Sequence, residues 1–280
     1  MIQENEVKEL QKKAFEIRKM TIDAIGHLGV GHIGGAMSIV EVLTLLYYRV
    51  LKNIDPKNPQ KEGRDKVVLS KGHAGPALYS ILAEKGYFPK EWLYTLNGSD
   101  TRLPSHCDMN RTPGIDMTTG SLGTGASAAI GLVLGNRLNG YNDAYTYLII
   151  GDGESQEGQI WEAAMFAAHN RLGNLIAFTD YNKLQIDGYT QDIMSIDDLN
   201  SKWNGFGWHV QRVDGHDLRA LDAAVKNAQD TKERPSMIIM DTVKSKGFCF
   251  GEGIVGNHNM SFDKAKAEEA IKILNKCQGE

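Results

Sequence analysis

The sequence has few of the features that mark secreted, zinc-binding or membrane proteins. It contains three cysteines, Cys107, Cys249 and Cys277, and no two of them have CxxC spacing. This scarcity argues against a disulfide framework or a cysteine-bound zinc ion and fits a reducing compartment. No apolar run approaches the roughly 18 residues of a membrane span, and residues 1–13 are too polar for a signal peptide. We therefore expect a cytoplasmic protein.

The sequence also lacks a strong excess of either positive or negative charge. The formal net charge is −4, from 31 basic and 35 acidic side chains, so the composition favours neither a nucleic acid nor a membrane surface as a partner. With 41% hydrophobic and 24% charged residues in a chain of 280, the sequence is typical of a globular protein. We find neither a linker nor an internal repeat, and we expect residues 1–280 to form a single domain.

The clearest positive signal lies in residues 145–188. Apolar, β-rich runs at 145–150 and 175–179 flank a segment of helix formers at 160–170. Two apolar strands joined by a helix form a βαβ unit, whose strands are parallel and buried. Further strands are predicted at 66–69, 208–213 and 236–242, with helices between most of them. The pattern predicts an α/β fold, a doubly wound and mostly parallel sheet flanked by helices.

Polar side chains follow the two strands of this βαβ unit. Asp152 comes directly after the first strand and Asn182 shortly after the second. Ligands of open parallel sheets bind beyond the carboxyl ends of the strands, and carboxylate and amide oxygens suit Mg²⁺ or Ca²⁺ better than zinc. The helix that follows Gly153 would turn its N-terminus to the same place, which favours an anion. These residues predict a metal-bridged phosphate site, although Gly-Asp-Gly also fits a plain strand-to-helix turn.

Three histidines stand in loops rich in glycine or proline. His32 lies in residues 29–35, a stretch that we predict to be too glycine-rich for a helix; His73 follows the strand at 66–69, and His106 lies in the irregular segment 103–113. Imidazoles transfer protons or bind hydroxyl groups near neutral pH. Together the three suggest a reaction site, although His32 alone fits a surface turn between helices equally well.

The remaining helices are assigned from apolar spacing. They are predicted at 4–28, 38–50, 76–85, 126–138, 218–229 and 261–277, with a loop and a short helix at 192–203 and an irregular segment at 244–259. The helix at 126–138 is rich in alanine and glycine, which allows close packing against a neighbour. Residues 118–125 before it contain neither a GxxxxGK[ST] loop nor a GxGxxG unit, so core packing and cofactor contact both remain open for this segment.

Taken in order, several short motifs match one known family. They are Gly31-His32, Ser70-Lys71-Gly72-His73, Pro104-Ser105-His106, Thr119-Gly120-Ser121-Leu122-Gly123, Gly151-Asp152-Gly153 with Glu157-Gly158, Asp180-Tyr181-Asn182 and Asp214-Gly215-His216. The chain resembles the N-terminal, diphosphate-binding part of transketolases. More closely, it resembles the free-standing N-terminal subunit of transketolases that are split into two chains. The resemblance covers essentially the whole sequence.

The resemblance implies thiamine diphosphate as cofactor and Mg²⁺ as metal, with Ca²⁺ or Mn²⁺ as substitutes. It assigns metal binding to the side chains of Asp152 and Asn182 and the carbonyl of Leu184. Other matching residues imply contacts to the cofactor, namely His73, Gly120, Leu122, Gly151, Gly153, Glu157 and Asn182. Glu157 matches a buried glutamate near the subunit interface of the family.

Histidines of the family line the cofactor and the sugar hydroxyls. Their counterparts here are His32, His73, His106 and His258. The resemblance makes His32 and His258 the candidates for the base that removes a hydroxyl proton when the carbon–carbon bond breaks.

The resemblance also implies a partner. The pyrimidine-binding and C-terminal domains are expected on a second chain, which would carry the glutamate that activates the cofactor and the arginines that hold the sugar phosphate. The chain is therefore expected to be inactive alone and to work as a dimer of heterodimers, a heterotetramer. The implied reaction moves a two-carbon ketol unit from a ketose phosphate, or a similar anionic ketose, to an aldose, as in the pentose phosphate pathway of carbohydrate metabolism.

Two other interpretations remain open at this point. The chain could be half of another thiamine diphosphate enzyme, similar to deoxyxylulose-phosphate synthase or to 2-oxo-acid dehydrogenase. It could also be a non-enzymatic module that binds a nucleotide or a metal and regulates another protein.

Overall fold

The computed structural model describes residues 2–277 and contains one five-stranded parallel sheet. Its strands lie in the order β2-β3-β4-β6-β5, and a separate antiparallel pair is formed by β1 and β7. The strands are β1 (Val30–Gly31), β2 (Lys66–Leu69), β3 (Thr146–Gly151), β4 (Leu175–Tyr181), β5 (His209–Asp214), β6 (Ser236–Asp241) and β7 (Met260–Ser261). All neighbours in the larger sheet pair in parallel, which confirms the predicted α/β class.

Helices cover both faces of the sheet. They are α1 (Glu4–Leu28), α2 (Ile33–Met37), α3 (Val40–Leu45), α4 (Gly75–Glu84), α5 (Thr124–Leu138), α6 (Gly158–His169), α7 (Thr190–Ile193), α8 (Leu199–Gly205), α9 (Leu218–Asp230) and α10 (Lys264–Cys277). Short 3₁₀ turns occur at Gly72–Ala74, Lys90–Thr95 and Gly153–Gln156, and a π turn follows α3 at Leu46–Val50. None of the described helices is both long and apolar enough to span a membrane.

Alternate residues of the strands enter two separate cores. In β3, Ile149 packs into the core that includes residues of α1, α3, α4 and α9, whereas Leu148 and Ile150 pack against α5, α6 and α8. In β4, Phe178 joins the first core and Ala177 the second. A parallel strand buried on both faces is rich in apolar residues at successive positions, and residues 145–150 are apolar or aromatic except for Thr146.

The predicted βαβ unit is confirmed. Strands β3 and β4 are direct parallel neighbours, and Gly151 pairs with Asp180 at their carboxyl ends. Helix α6 connects them on one face of the sheet. This register places Asp152 and Asn182 at the same edge of the sheet.

Two local predictions are wrong. The glycine-rich stretch 29–35 is not helix-free, because α2 begins at Ile33. A Cβ on Gly34 would lie 2.4 Å from the carbonyl oxygen of Asn257, so close packing outweighs the low helix propensity of glycine. The last helix begins at Lys264 rather than at Ser261, because Ser261 belongs to β7 and pairs there with Val30 of β1.

Candidate active site

A cavity of about 420 Å³ opens where β2, β3, β4 and β6 end. Its wall is formed by the segments that follow these strands and by the loops that carry His32, His106 and His258. All the residues singled out from the sequence line it: His32, His73, His106, Gly120, Leu122, Gly151, Asp152, Gly153, Glu157, Asn182, Leu184 and His258. The fold therefore brings the predicted metal ligands and the predicted histidines to one place.

Asp152 lines the cavity and is buried. Its Oδ1 accepts a hydrogen bond from the backbone N–H of Gly153 at 2.7 Å, and its Oδ2 accepts one from Lys183 N–H at 2.5 Å. Burial, together with the nearby negative charge of Asp180, raises the pKa of Asp152 to about 7. A carboxylate held in this way is costly when it is ionised and unpaired, and a bound cation would offset that cost.

The Asn182 side chain is oriented by two hydrogen bonds. Its Nδ2 donates to Oδ2 of Asp180 at 2.9 Å, and its Oδ1 accepts from Leu184 N–H at 3.1 Å. Asp180 also accepts hydrogen bonds from Ser38, Lys71 and Thr242. Although burial opposes ionisation, Lys71 and the hydroxyl donors hold the pKa of Asp180 below its ordinary value. The amide of Asn182 is therefore fixed with its oxygen on the side of Leu184.

The donor set fits a divalent cation. The carbonyl oxygen of Leu184 already interacts with a positive charge, since it accepts a hydrogen bond from Lys244 Nζ at 3.1 Å. Burial lowers the pKa of Lys244 to about 8, with Asp152 acting in the opposite direction. No group of three or more His, Cys, Asp or Glu among the described residues is arranged to hold a metal alone. A divalent ion here would therefore need backbone and ligand oxygens besides Asp152, which is typical of Mg²⁺.

Four histidine rings cluster in the cavity wall. The centroid of His73 lies 4.6 Å from that of His258 and 5.6 Å from that of His32. His32 lies 5.4 Å from His106 and 5.3 Å from His258. Burial lowers the pKa of His32 and His106, and burial together with Lys244 lowers the pKa of His258 to about 4. These three rings are therefore neutral at pH 7 and able to accept a proton or a hydrogen bond.

His73 should make the fold sensitive to acid. Burial and the adjacent Lys71 hold its pKa well below the ordinary 6.5, so the unfolded chain binds a proton that the folded chain rejects. The free energy of unfolding should therefore fall as the pH drops below about 6.5. The variant His73→Gln should flatten this slope by up to about 1.4 kcal/mol per pH unit, measured by urea unfolding of the cofactor-free chain. His169→Gln, outside the cavity wall, is the control; equal slopes in both variants would contradict the prediction.

Sequence reasoning assigned no role to three charged residues of the cavity wall. Lys71 follows β2 and Lys244 follows β6, and both side chains are buried in the cavity wall. Glu154 lies two residues beyond Asp152 and is also buried. The available signal was a charged residue just after an apolar strand, the same signal that pointed to Asp152. Glu157, matched to a buried glutamate of the family, is exposed on this chain by itself.

The comparison with known protein families shows to which family the chain belongs. The family described as "Transketolase, thiamine diphosphate binding domain" matches residues 10–276. This chain belongs to the transketolase family. It corresponds to the N-terminal, thiamine diphosphate-binding part, as the sequence motifs predicted.

Two relatives of similar length are named as transketolase subunits. The chain is 56% identical over 268 residues to the 6-deoxy-6-sulfo-D-fructose transketolase subunit of Clostridium sp. (strain MSTE9), covering 96% of this chain and 97% of the relative. It is 42% identical over 247 residues to an apulose-4-phosphate transketolase subunit from Actinobacillus succinogenes, covering 88% of each. The chain therefore groups with the subunits of transketolase-type enzymes.

Solved transketolases share the fold but are longer. The enzyme from Campylobacter jejuni superposes with a TM-score of 0.86 at 26% identity. The alignment covers 97% of this chain and 47% of that chain, so this chain spans about half the length of the solved transketolase. The likeness confirms the predicted α/β architecture.

Proposed function

We propose that this chain is the cofactor-binding subunit of a two-chain transketolase. With its partner it transfers a two-carbon ketol unit from an anionic ketose to an aldose. One observation carries the proposal: a single cavity is lined both by oxygen ligands suited to a metal and by four histidines with lowered pKa values. That arrangement suits a cofactor with a charged tail and a reacting head.

The metal end would hold the diphosphate of thiamine diphosphate. Asp152, Asn182 and the Leu184 carbonyl would bind Mg²⁺, and the backbone of Gly153 would contact the diphosphate. Lys71 and Lys244 add positive charge on the same wall, which favours the anion. When bound, the cofactor supplies the electron sink for breaking a carbon–carbon bond next to a carbonyl.

The four histidines would contact the hydroxyl groups of the sugar. A neutral imidazole accepts a hydroxyl proton, and His32 and His258 are the proposed bases because both line the cavity and both resist protonation in the fold. His73 and His106 would hold hydroxyl groups by hydrogen bonds. Their crowding opposes the accumulation of positive charge, so at most one ring would carry a proton at a time.

A partner chain would close the cavity. Apolar residues stand exposed along the segment that follows the metal ligands, and they are Ile186, Tyr189, Ile193 and Met194. Ile186 is 63% exposed although it lines the cavity itself. A clustered apolar rim of this kind marks an interaction surface. We assign it to the C-terminal transketolase subunit, which carries the pyrimidine-binding domain, within a dimer of heterodimers in the cytoplasm.

The relatives narrow the substrate. The Clostridium relative, 56% identical, is a subunit of a 6-deoxy-6-sulfo-D-fructose transketolase. We therefore propose a ketose with a sulfonate at C6 as the donor, in preference to the sugar phosphates of the pentose phosphate pathway. The groups that distinguish a sulfonate tail from a phosphate tail would lie on the partner, since the family resemblance assigns the arginines that hold the sugar phosphate to that chain.

The experiment uses the chain with its partner subunit, thiamine diphosphate and Mg²⁺. We expect ketol transfer from 6-deoxy-6-sulfo-D-fructose to an aldose phosphate, with kcat/KM at least tenfold above that for fructose 6-phosphate and far above that for fructose. The chain without its partner should show no turnover. A preference for fructose 6-phosphate would overturn the substrate assignment, and failure with every ketose would overturn the transketolase function itself.

A further inference from the structure

A buried carboxylate joins three walls of the active-site cavity. Glu154 is 2% exposed and lines the cavity. Its Oε1 accepts hydrogen bonds from the Ser70 hydroxyl and from Gly123 N–H at 2.8 Å, and its Oε2 accepts one from Gly151 N–H at 3.1 Å. These partners are a hydroxyl and two backbone amides, none of which carries a charge.

The three partners belong to three different segments of the site. Ser70 follows β2 and precedes Lys71, Gly123 closes the loop that carries Gly120 and Leu122, and Gly151 ends β3 beside Asp152. In the sequence, Ser70 and Gly123 lie 84 and 31 positions from Glu154. One side chain therefore fixes the spacing between the loop that carries Gly120 and Leu122 and the segment that carries Asp152.

A negative charge in this place is unexpected if electrostatics alone is considered. Asp152 and Asp180 are already buried nearby, and the proposed ligand carries a diphosphate. Lys71, which acts on Glu154 through space, is itself paired with Asp180. A carboxylate that contributed only its charge would repel the diphosphate and weaken its binding.

We propose that Glu154 is a positioning residue that holds the glycine loop before α5 at the correct distance from the Asp152 segment, so that both ends of the cofactor can be bound at once. The inference rests on the proposed function for the identity of its ligand. It makes a prediction opposite in sign to that of simple electrostatics.

Glutamine at this position would have nearly the same shape as glutamate but a different set of hydrogen-bonding groups. A carboxylate has only acceptors and meets three donors, whereas the amide of glutamine presents one NH₂ group that must face a backbone N–H. Leaving such a buried donor unsatisfied loosens the contact. The loop and the β3 segment should then separate, although the loss of a negative charge should by itself strengthen diphosphate binding.

The test measures binding of thiamine diphosphate with Mg²⁺ to the complex of this chain and its partner. We expect Glu154→Gln to raise the cofactor Kd roughly ten- to hundredfold, while kcat at saturating cofactor falls much less. Ser70→Ala, which removes one donor and leaves the carboxylate, should give a smaller increase of the same sign. Glu162→Gln, an exposed residue of α6, should bind the cofactor as the wild type does.

Hydrogen exchange of the cofactor-free chain gives a readout that does not depend on activity. The amides of Gly123 and Gly151 should lose protection at least roughly tenfold in Glu154→Gln, while amides in the centre of β4 keep theirs. Unchanged exchange, or tighter cofactor binding by Glu154→Gln, would overturn the positioning role. Absence of cofactor binding by the wild-type complex would instead overturn the proposed function. The exchange result would still decide whether Glu154 holds the glycine loop and the Asp152 segment together.

Discussion

Replacing Asp152 by asparagine should weaken binding of thiamine diphosphate with Mg²⁺ roughly a thousandfold, because it removes the only carboxylate among the proposed metal ligands. Turnover of the complex at physiological cofactor concentrations should be lost accordingly. Isothermal titration of the complex with cofactor at fixed Mg²⁺ measures the effect. Excess Mg²⁺ should recover only a small part of it, because an amide oxygen attracts the ion less than a carboxylate does.

The same substitution should not harm the cofactor-free fold. Asp152 is a buried carboxylate with a pKa raised to about 7 by burial and by Asp180, so its ionised form opposes folding near neutral pH. Asparagine removes that charge and keeps one acceptor for the N–H of Gly153 or of Lys183. We expect the free energy of unfolding without cofactor to stay the same or to rise, which separates a lost ligand from a damaged fold.

An exposed aspartate provides the matched control. Asp143→Asn changes the same functional group in the turn before β3, outside the cavity wall, and should alter neither stability nor cofactor affinity. If Asp152→Asn bound the cofactor and Mg²⁺ as tightly as this control, the metal assignment would be wrong.

The sheet and the approach of Asp152 to Asn182 could be predicted from local sequence because each signal is local. Strands β3 and β4 are mostly apolar, and Asp152 and Asn182 lie directly after their last residues. The rule that parallel strands end at one edge then brings the two side chains together. The observed pairing of Gly151 with Asp180 agrees with this expectation.

The grouping of the histidines could not be predicted without tertiary information. His32 and His258 are separated by most of the chain, and nothing local to either predicts that their rings lie 5.3 Å apart. Only the family resemblance placed them in one site. The same reason explains the missed pairing of β1 with β7 and the unassigned role of Glu154, whose partners lie in distant segments. Non-local contacts of this kind leave no periodic signature in the sequence.

Close packing of α5 explains why its small residues matter. A Cβ built on Gly125 would lie 2.4 Å from the Ser70 hydroxyl oxygen and 2.8 Å from the Ser70 Cα. Because one of these atoms is backbone, a side-chain rotation cannot relieve the contact. On Gly131, in the same helix, an added Cβ meets nothing within 4 Å. Core packing was one of the two interpretations left open for this segment, and Gly125 shows that it applies at the first turn.

Alanine at these two glycines should therefore change stability in opposite directions. Gly131→Ala should raise the free energy of unfolding by about 0.5–1 kcal/mol through helix propensity alone. Gly125→Ala gains the same propensity but forces α5 away from β2, and overpacking of this kind costs about 1–3 kcal/mol. Urea unfolding of the cofactor-free chain should place the two variants roughly 1–3 kcal/mol apart.

The two variants should also differ in cofactor affinity. Ser70, which Gly125→Ala displaces, donates a hydrogen bond to Glu154. The displacement should therefore loosen the contact between the glycine loop and the Asp152 segment, and Gly125→Ala should bind thiamine diphosphate more weakly than Gly131→Ala does in the complex. If both alanines stabilised the chain equally, α5 would not be held against Ser70, and the geometry that supports the positioning role of Glu154 would fail with it.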